Sequence, residues 1–393
     1  MRLNCLVAVA SVSAVHAWTE LHHDPFMNKN IDPIVVPGTY SSHMHTFFGS
    51  DAVTNAMPTS ADLQKGCYSG ENPNDLSAYW TPTLYYVKGG EFIEIPIFRL
   101  STYYTNAFSE IAIPQNFAMI AGNASAQTQA EADHPYNNLE WFCEGTDERE
   151  SEISKFPTST CSKNLQVSLR FPNCVNPDNL LQYDFSDNSE KCPEGMKRFP
   201  QLRYAVKYQT SKVVPEGWSG IAPFQLSCGK EIGNGHCFHG DFINGWFEDA
   251  AETMLVSGGS GYNDGQFIGG ALGIAPVAAT CTPSDQDPEN GTDDFLKSQE
   301  TLANGSGAVD SSPQSETEAV SSENISTSAS ASTPSQATNI TPSSLVDITA
   351  TSTRLSAPIP RATGTRIRSE PCTTILSSRA SKRRVGHKWR RHH

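Results

Sequence analysis

SAYWTPTLYYVKGGEFIEIPIFRL, residues 77–100, is crowded with aromatic and β-branched side chains and is broken once, by Gly89-Gly90. Such side chains suit a pleated, half-buried surface, and a Gly-Gly pair reaches the positive φ values of a tight hairpin turn. The stretch reads as two strands joined by that turn, with Phe92, Glu94 and Ile93, Ile95 alternating as in an edge hairpin. Similar short runs follow at 139–143 (LEWFC), 165–171 (LQVSLRF), 202–209 (LRYAVKYQ) and 222–228 (APFQLSC), between Pro, Gly and Asn signals. One helix is expected after Asn244, read as its cap, with Phe247, Ala250, Ala251, Met254 and Leu255 on one face. Strands at irregular spacing with long loops predict a mainly β fold: a disulfide-linked antiparallel sandwich with one or two helices.

Working outward from this region, composition changes sharply. Of 36 aromatic residues in 393, all but Phe295 and Trp389 precede residue 282. The opening stretch, MRLNCLVAVASVSAVHA, carries Arg2, an apolar run and small residues at Val15 and Ala17, the pattern of a secretory leader cleaved before Trp18. Eight cysteines fall between Cys67 and Cys281, an even number that in an exported chain reads as up to four disulfides. Eight cysteines allow about 105 pairings, and spacing does not choose among them. From 301 to 353, 23 of 53 residues are Ser or Thr, and four of five Asn-x-Ser/Thr acceptors lie beyond the last core cysteine. Such a segment cannot bury enough surface to offset its ordering entropy. The expected organisation is a leader (1–17), a disulfide-rich domain (18–283), a glycosylated stalk (284–353) and a basic disordered tail (354–393).

The chain carries −14 overall, but the tail holds 11 Lys/Arg against one acid, so everything before it is strongly acidic. That charge argues against nucleic acid as a partner. No run after the leader approaches the roughly 18 apolar residues of a membrane span, so no integral membrane segment is expected. Nucleophile elbow, P-loop and dinucleotide fingerprints are absent. A monomer is expected.

Three places could carry chemistry. In SSHMHTFFG (41–49), His43 and His45 would project to one side of a strand and could share an ion or a substrate. In HCFHGDFINGW (236–246), His239 and Asp241 flank a glycine that permits close approach or positive φ. The alternative for this motif is that Asp241 and Asn244 cap the helix and His239 packs. The third place is the aromatic set Tyr79, Trp80, Tyr85, Tyr86, Tyr103 and Tyr104, whose flat rings would stack on sugar faces if exposed and fill the core if not. His22 and His23 are expected in a mobile N-terminus, and His134 stands alone.

SSHMHTFFG, NDLSAYWTPTLY, FPNC (171–174), CPEGMKRFPQL and HGDFINGW, in that order, resemble a family of secreted fungal proteins classed as a domain of unknown function. The resemblance covers roughly residues 24 to 256. Members are often followed by Ser/Thr-rich stretches and joined to WSC-type or cellulose-binding modules, which implies a place at the cell wall or on polysaccharide. This chain departs from the family in three ways: Val175 stands where a Trp is usual, the segment after it lacks its histidine, and Met196 stands near another lost histidine.

Two functional readings follow. In the first, the protein is a secreted, cell-wall-associated glycan-binding module with Tyr79, Trp80, Tyr85 and Tyr103 as its platform. In the second, His43, His45 and Asp241 hold one divalent metal ion, with His239 and Asp241 in catalytic roles, in a carbohydrate-active hydrolase or lyase. Whether the protein is an enzyme stays open at this point.

Overall fold

The computed structural model describes residues 18–132, 136–256, 268–274 and 279–304. The leader, His134, most of the stalk and the basic tail lie outside the described residues. The chain forms β1 (Trp18–His23), β2 (Met27–Lys29), β3 (His45–Gly49), β4 (Ala78–Pro82), β5 (Leu84–Lys88), β6 (Glu91–Glu94), β7 (Ile97–Thr105) and β8 (Ala118–Gly122). It continues through β9 (Glu140–Cys143), β10 (Leu165–Arg170), β11 (Cys174–Asn176), β12 (Asn179–Asp184), β13 (Lys197–Arg198), β14 (Gln201–Tyr208), β15 (Phe224–Leu226) and β16 (His239–Ile243). Two antiparallel five-stranded sheets dominate, ordered β1-β7-β14-β10-β9 and β2-β3-β4-β16-β8.

The sheets face each other across one aromatic core. Tyr79 and Phe242 from the second sheet meet Tyr104 and Tyr204 from the first. A buried phenol needs a partner, and these find each other: Tyr79 and Tyr104 share a hydrogen bond of 2.6 Å, and Tyr204 donates to the Asp241 carbonyl. The alternation of a strand then places His239, Asp241 and Ile243 on the far face of β16, away from the first sheet. That face is also covered, by a smaller cluster containing Phe47, Trp80 and Ile243.

The mainly β, antiparallel class agrees with the sequence, and all eight cysteines pair, as Cys67–Cys281, Cys143–Cys161, Cys174–Cys192 and Cys228–Cys237. Several local expectations need correction. Residues 77–100 form four strands, because the chain leaves the β4 ladder at Thr83 and is interrupted again before Ile97 at Pro96; the Gly89-Gly90 hairpin joins β5 to β6. Among the described residues there are four helices, α1 (Ser60–Leu63), α2 (Gln129–Ala132), α3 (Glu248–Val256) and α4 (Phe295–Asn304), the first two a single turn each. Asn244 is no cap for α3. It is fully buried, donates to the Ile113 and Pro114 carbonyls and accepts from Trp246 N–H, so it ties two loops together.

His22 and His23 belong to β1, paired with Ser101 and Leu100, and His23 is buried. Packing also passes the boundary expected near residue 283. Lys29 binds the Asp285 carboxylate at 2.8 Å, and Phe295 lies against Tyr85 and Phe92 with ring centroids 4.7 and 4.3 Å away. Phe295 and the fully buried Ser298 seat α4, while Leu296 and Leu302 stay exposed. Among the described residues, no helix is long and apolar enough to cross a membrane.

Candidate metal centre

His45 opens β3, while His43 lies just before the strand. Met44 between them is buried beside Tyr85 and Phe295, and its carbonyl accepts from Thr83 N–H and the Ser227 hydroxyl. This anchor turns both flanking imidazoles the other way, with ring centroids 4.2 Å apart. On β16, a Cβ added to Gly240 would meet Phe171 Cζ and Tyr204 Cε2 at 2.7 Å each. The glycine is therefore required by close packing and not by positive φ, and it lets β16 lie flat enough to aim His239 and Asp241 together.

The two motifs, far apart in sequence, converge. His239 Nε2 lies 3.3 Å from His43 Nε2, 3.2 Å from His45 Nε2 and 3.6 Å from Asp241 Oδ2. Ligand atoms of His45, His239 and Asp241 all fall within 4.8 Å of one another. Two atoms bound to one tetrahedral ion at about 2.0–2.2 Å stand about 3.3–3.6 Å apart, close to the spacing of His239 Nε2 from His45 Nε2 and from Asp241 Oδ2. His45, His239 and Asp241 are buried, and His43 is part-exposed on the solvent side.

Hydrogen bonding fixes the tautomers. His45 Nδ1 lies 2.9 Å from the Ile31 carbonyl and His239 Nδ1 2.9 Å from the Cys237 carbonyl. A carbonyl only accepts, so each Nδ1 carries the proton and each Nε2 presents a lone pair. The contact between these two Nε2 atoms is then lone pair against lone pair, which needs a proton or a cation between them. Burial opposes the proton: it lowers His239 to about 4 and pushes His43 and His45 well below the ordinary imidazole range, where the neighbouring imidazoles lower both further. Burial likewise raises Asp241 well above the usual carboxylate range, helped by the nearby charge of Asp32, and neither Asp241 oxygen has a hydrogen-bond partner. Cys228 Sγ is also close to His43 and His239, but it is spent in the bond to Cys237 and offers no thiolate.

The aromatic set does not form a platform. Tyr79, Trp80 and Tyr104 are fully buried, and Tyr85 and Tyr86 keep 5% and 7% exposure: β4 is buried on both faces, and Tyr104 points from β7 into the core between the sheets. Of the six, Tyr103 lines a cleft, on the outer face of the first sheet.

Several polar groups near these sites carry no obvious motif. Asp32 is buried where it accepts from Ile34 and Val35 N–H in a local turn; the Asp-Pro pair was its sequence signal. The Tyr183 hydroxyl accepts from Ile120 N–H, the cross-strand partner of Asp241. A second buried network joins His23, Thr102, Asp75, Tyr79 and Tyr104; burial lowers His23 to about 3 and raises Asp75 to about 6.

No curated protein and no solved structure matches this chain. One family model does, over residues 32–246, which spans the β3 histidines, the β16 motif and most of the sandwich between them. The chain belongs to the family described as a domain of unknown function, DUF1996.

Proposed function

We propose that this domain is a metal-dependent protein of the extracellular space, holding one divalent ion through His45, His239 and Asp241 and acting on cell-wall glycan as a hydrolase or lyase. The observation that supports it most strongly is the buried Asp241 carboxylate, without a hydrogen-bond partner, beside two imidazoles whose lone pairs face each other. Burying an ionised carboxylate in that condition costs several kcal/mol, so the group takes up a proton unless a cation compensates. Imidazole and carboxylate donors suit zinc, iron(II) or manganese. Three protein ligands leave room for a substrate oxygen, and the part-exposed His43 is placed to exchange a proton there. The extracellular and glycan parts of the reading rest on the leader, the disulfides, the stalk and the family resemblance. With Tyr79, Trp80 and Tyr85 in the core, the platform of the binding-module reading is lost.

Elemental analysis of the purified full chain tests the centre, followed by incubation with wall polysaccharides and product analysis. Stoichiometric metal that disappears in His45→Ala and Asp241→Asn, with glycan products that require it, supports the reading. A chain that takes up no zinc, iron or manganese overturns the centre. Metal without any glycan product overturns the enzymatic part and leaves a structural ion.

A further inference from the structure

The outer face of the first sheet carries a second site, on the opposite side of the sandwich from the histidines. Register places Glu20, Tyr103, Arg203 and Arg170 in one row across β1, β7, β14 and β10, with Trp18, Thr105 and Gln201 in the next row. These two rows floor a cleft of about 420 Å³, walled by Phe108, Glu190 and Arg198. Its volume is in the range of small-ligand sites.

Four observations make it a built site. First, Arg170 and Arg203 are direct cross-strand partners, and neither guanidinium has an ion pair or hydrogen bond among the described residues. Like charges placed opposite each other destabilise a sheet; Glu20 and Glu140 offset part of this at Arg203, and an anion between the two guanidinium groups would offset more. Second, Arg203 is held in place: its Cζ lies 4.0 Å from the Tyr103 ring centroid, and the Tyr103 hydroxyl donates to Glu20 at 2.6 Å. The guanidinium is thus held over the Tyr103 ring among the residues that line the cleft. Third, Arg198 is buried and its Nε has no partner, although its terminal nitrogen pairs with Glu190.

Fourth, strain gathers here. Among the described residues, four non-glycine positions have positive φ; two are asparagines, which tolerate it, and the other two are Phe108 and Glu190. Both line this cleft, and Phe108 holds its ring 54% exposed at the rim. A large side chain in that conformation costs about 1–3 kcal/mol and persists where the position serves something.

We propose that this cleft binds an acidic saccharide, its carboxylate or sulfate gripped by Arg203 and Arg170 and its ring faces packed on Trp18 and Phe108. The anion requirement comes from the arginines; the sugar identity rests on the polysaccharide reading above. Guanidinium forks match planar carboxylates and sulfate oxygens, and aromatic rims match the apolar face of a pyranose. An arginine cluster in so acidic a domain would also select acidic from neutral glycans.

Calorimetric titration of the full chain with oligogalacturonate, a sulfated oligosaccharide, a neutral oligosaccharide of equal length and an oligoglutamate peptide tests it. The expected result is binding of one or both acidic saccharides, weakened by salt, and about tenfold to hundredfold weaker in Arg203→Met. Arg170→Met, on an exposed side chain, should weaken binding with an unchanged melting temperature, which removes misfolding as the explanation. The carboxylated and sulfated sugars separate the two anion sources. Binding should persist after chelation and in His45→Ala, so failure of the metal centre leaves this site standing. Equal affinity for the neutral sugar, tighter binding of oligoglutamate, or affinity untouched by both substitutions would overturn the proposal.

Discussion

Moving from mildly acidic to alkaline pH should cost this domain stability through one side chain, His22. Its Nδ1 lies 3.1 Å from Glu71 Oε1 and its Nε2 3.2 Å from Glu20 Oε1. Burial opposes charge on the ring, but the two carboxylates outweigh it and hold the pKa at about 9, against 6.5 for a free imidazole. Because the folded value is the higher one, the contribution is complete below pH 6.5 and is lost as pH rises through 9. The shift corresponds to a ceiling of about 3 kcal/mol at about 1.36 kcal/mol per pKa unit. The His22 ring is 20% exposed and Glu71 38%, so screening by water reduces this. We expect about 1–2 kcal/mol. His22→Gln keeps hydrogen-bonding capacity toward both acids and removes the charge. Urea unfolding of wild type and variant across this pH window measures the difference, and other titrating groups cancel between the two chains. Wild type should lose more stability than the variant by that amount. Parallel profiles would show that the carboxylates do not hold a proton on His22, and the reasoning would fail.

Three further outcomes are expected. Gly240→Ala drives a methyl group into Phe171 and Tyr204 and should destabilise the domain by about 1–3 kcal/mol in urea, with weaker metal uptake as β16 is displaced. Asp241→Asn should raise the melting temperature in chelator above pH 4, because a carboxylate whose folded pKa is raised destabilises the fold wherever it would be ionised, yet it should abolish metal uptake. Phe295→Ala should cost about 2–3 kcal/mol by emptying the contact with Tyr85 and Phe92, and limited proteolysis should then cut between Cys281 and α4; an unchanged urea midpoint would show that α4 does not belong to the domain.

The class of the fold was legible because strand chemistry and cysteine parity are local signals. Val, Ile, Tyr and Phe runs between Gly and Pro need no knowledge of what they pack against, and eight cysteines in an exported-looking chain predict pairing without saying which pairs form. Less local features were not legible. Asn244 looks like a cap because it precedes a helical pattern, and nothing in sequence shows that it satisfies the carbonyls of Ile113 and Pro114 instead. His22 and His23 look terminal, but β7, far along the chain, supplies a partner for β1. The basic cleft was missed because Tyr103, Arg170 and Arg203 come from three distant segments, and only the register brings them into a row.

The aromatic set and the histidines were ambiguous for the same physical reason, and the same fact resolves both. Alternation assigns a residue to core or surface only when one face of a sheet is wet. Every residue of β3, β4 and β16 is buried, so neither face of these strands is a surface. For Tyr79 and Trp80 that means core, whichever way they point. For polar residues it means the reverse of a bland outcome, because a buried polar group must be matched. Thr46 finds Thr83, and His45 and His239 spend their Nδ1 protons on carbonyls. On these strands the pairings leave over Trp80 Nε1, Thr81 Oγ1, the two facing Nε2 lone pairs and the two Asp241 oxygens, and the last four lie together. Ligand atoms of His45, His239 and Asp241 crowd within 4.8 Å of one another in a dry interior that disfavours charge on each of them. Either a proton shared among these atoms or a cation balances the cluster, and the metal ion proposed above is the second of these.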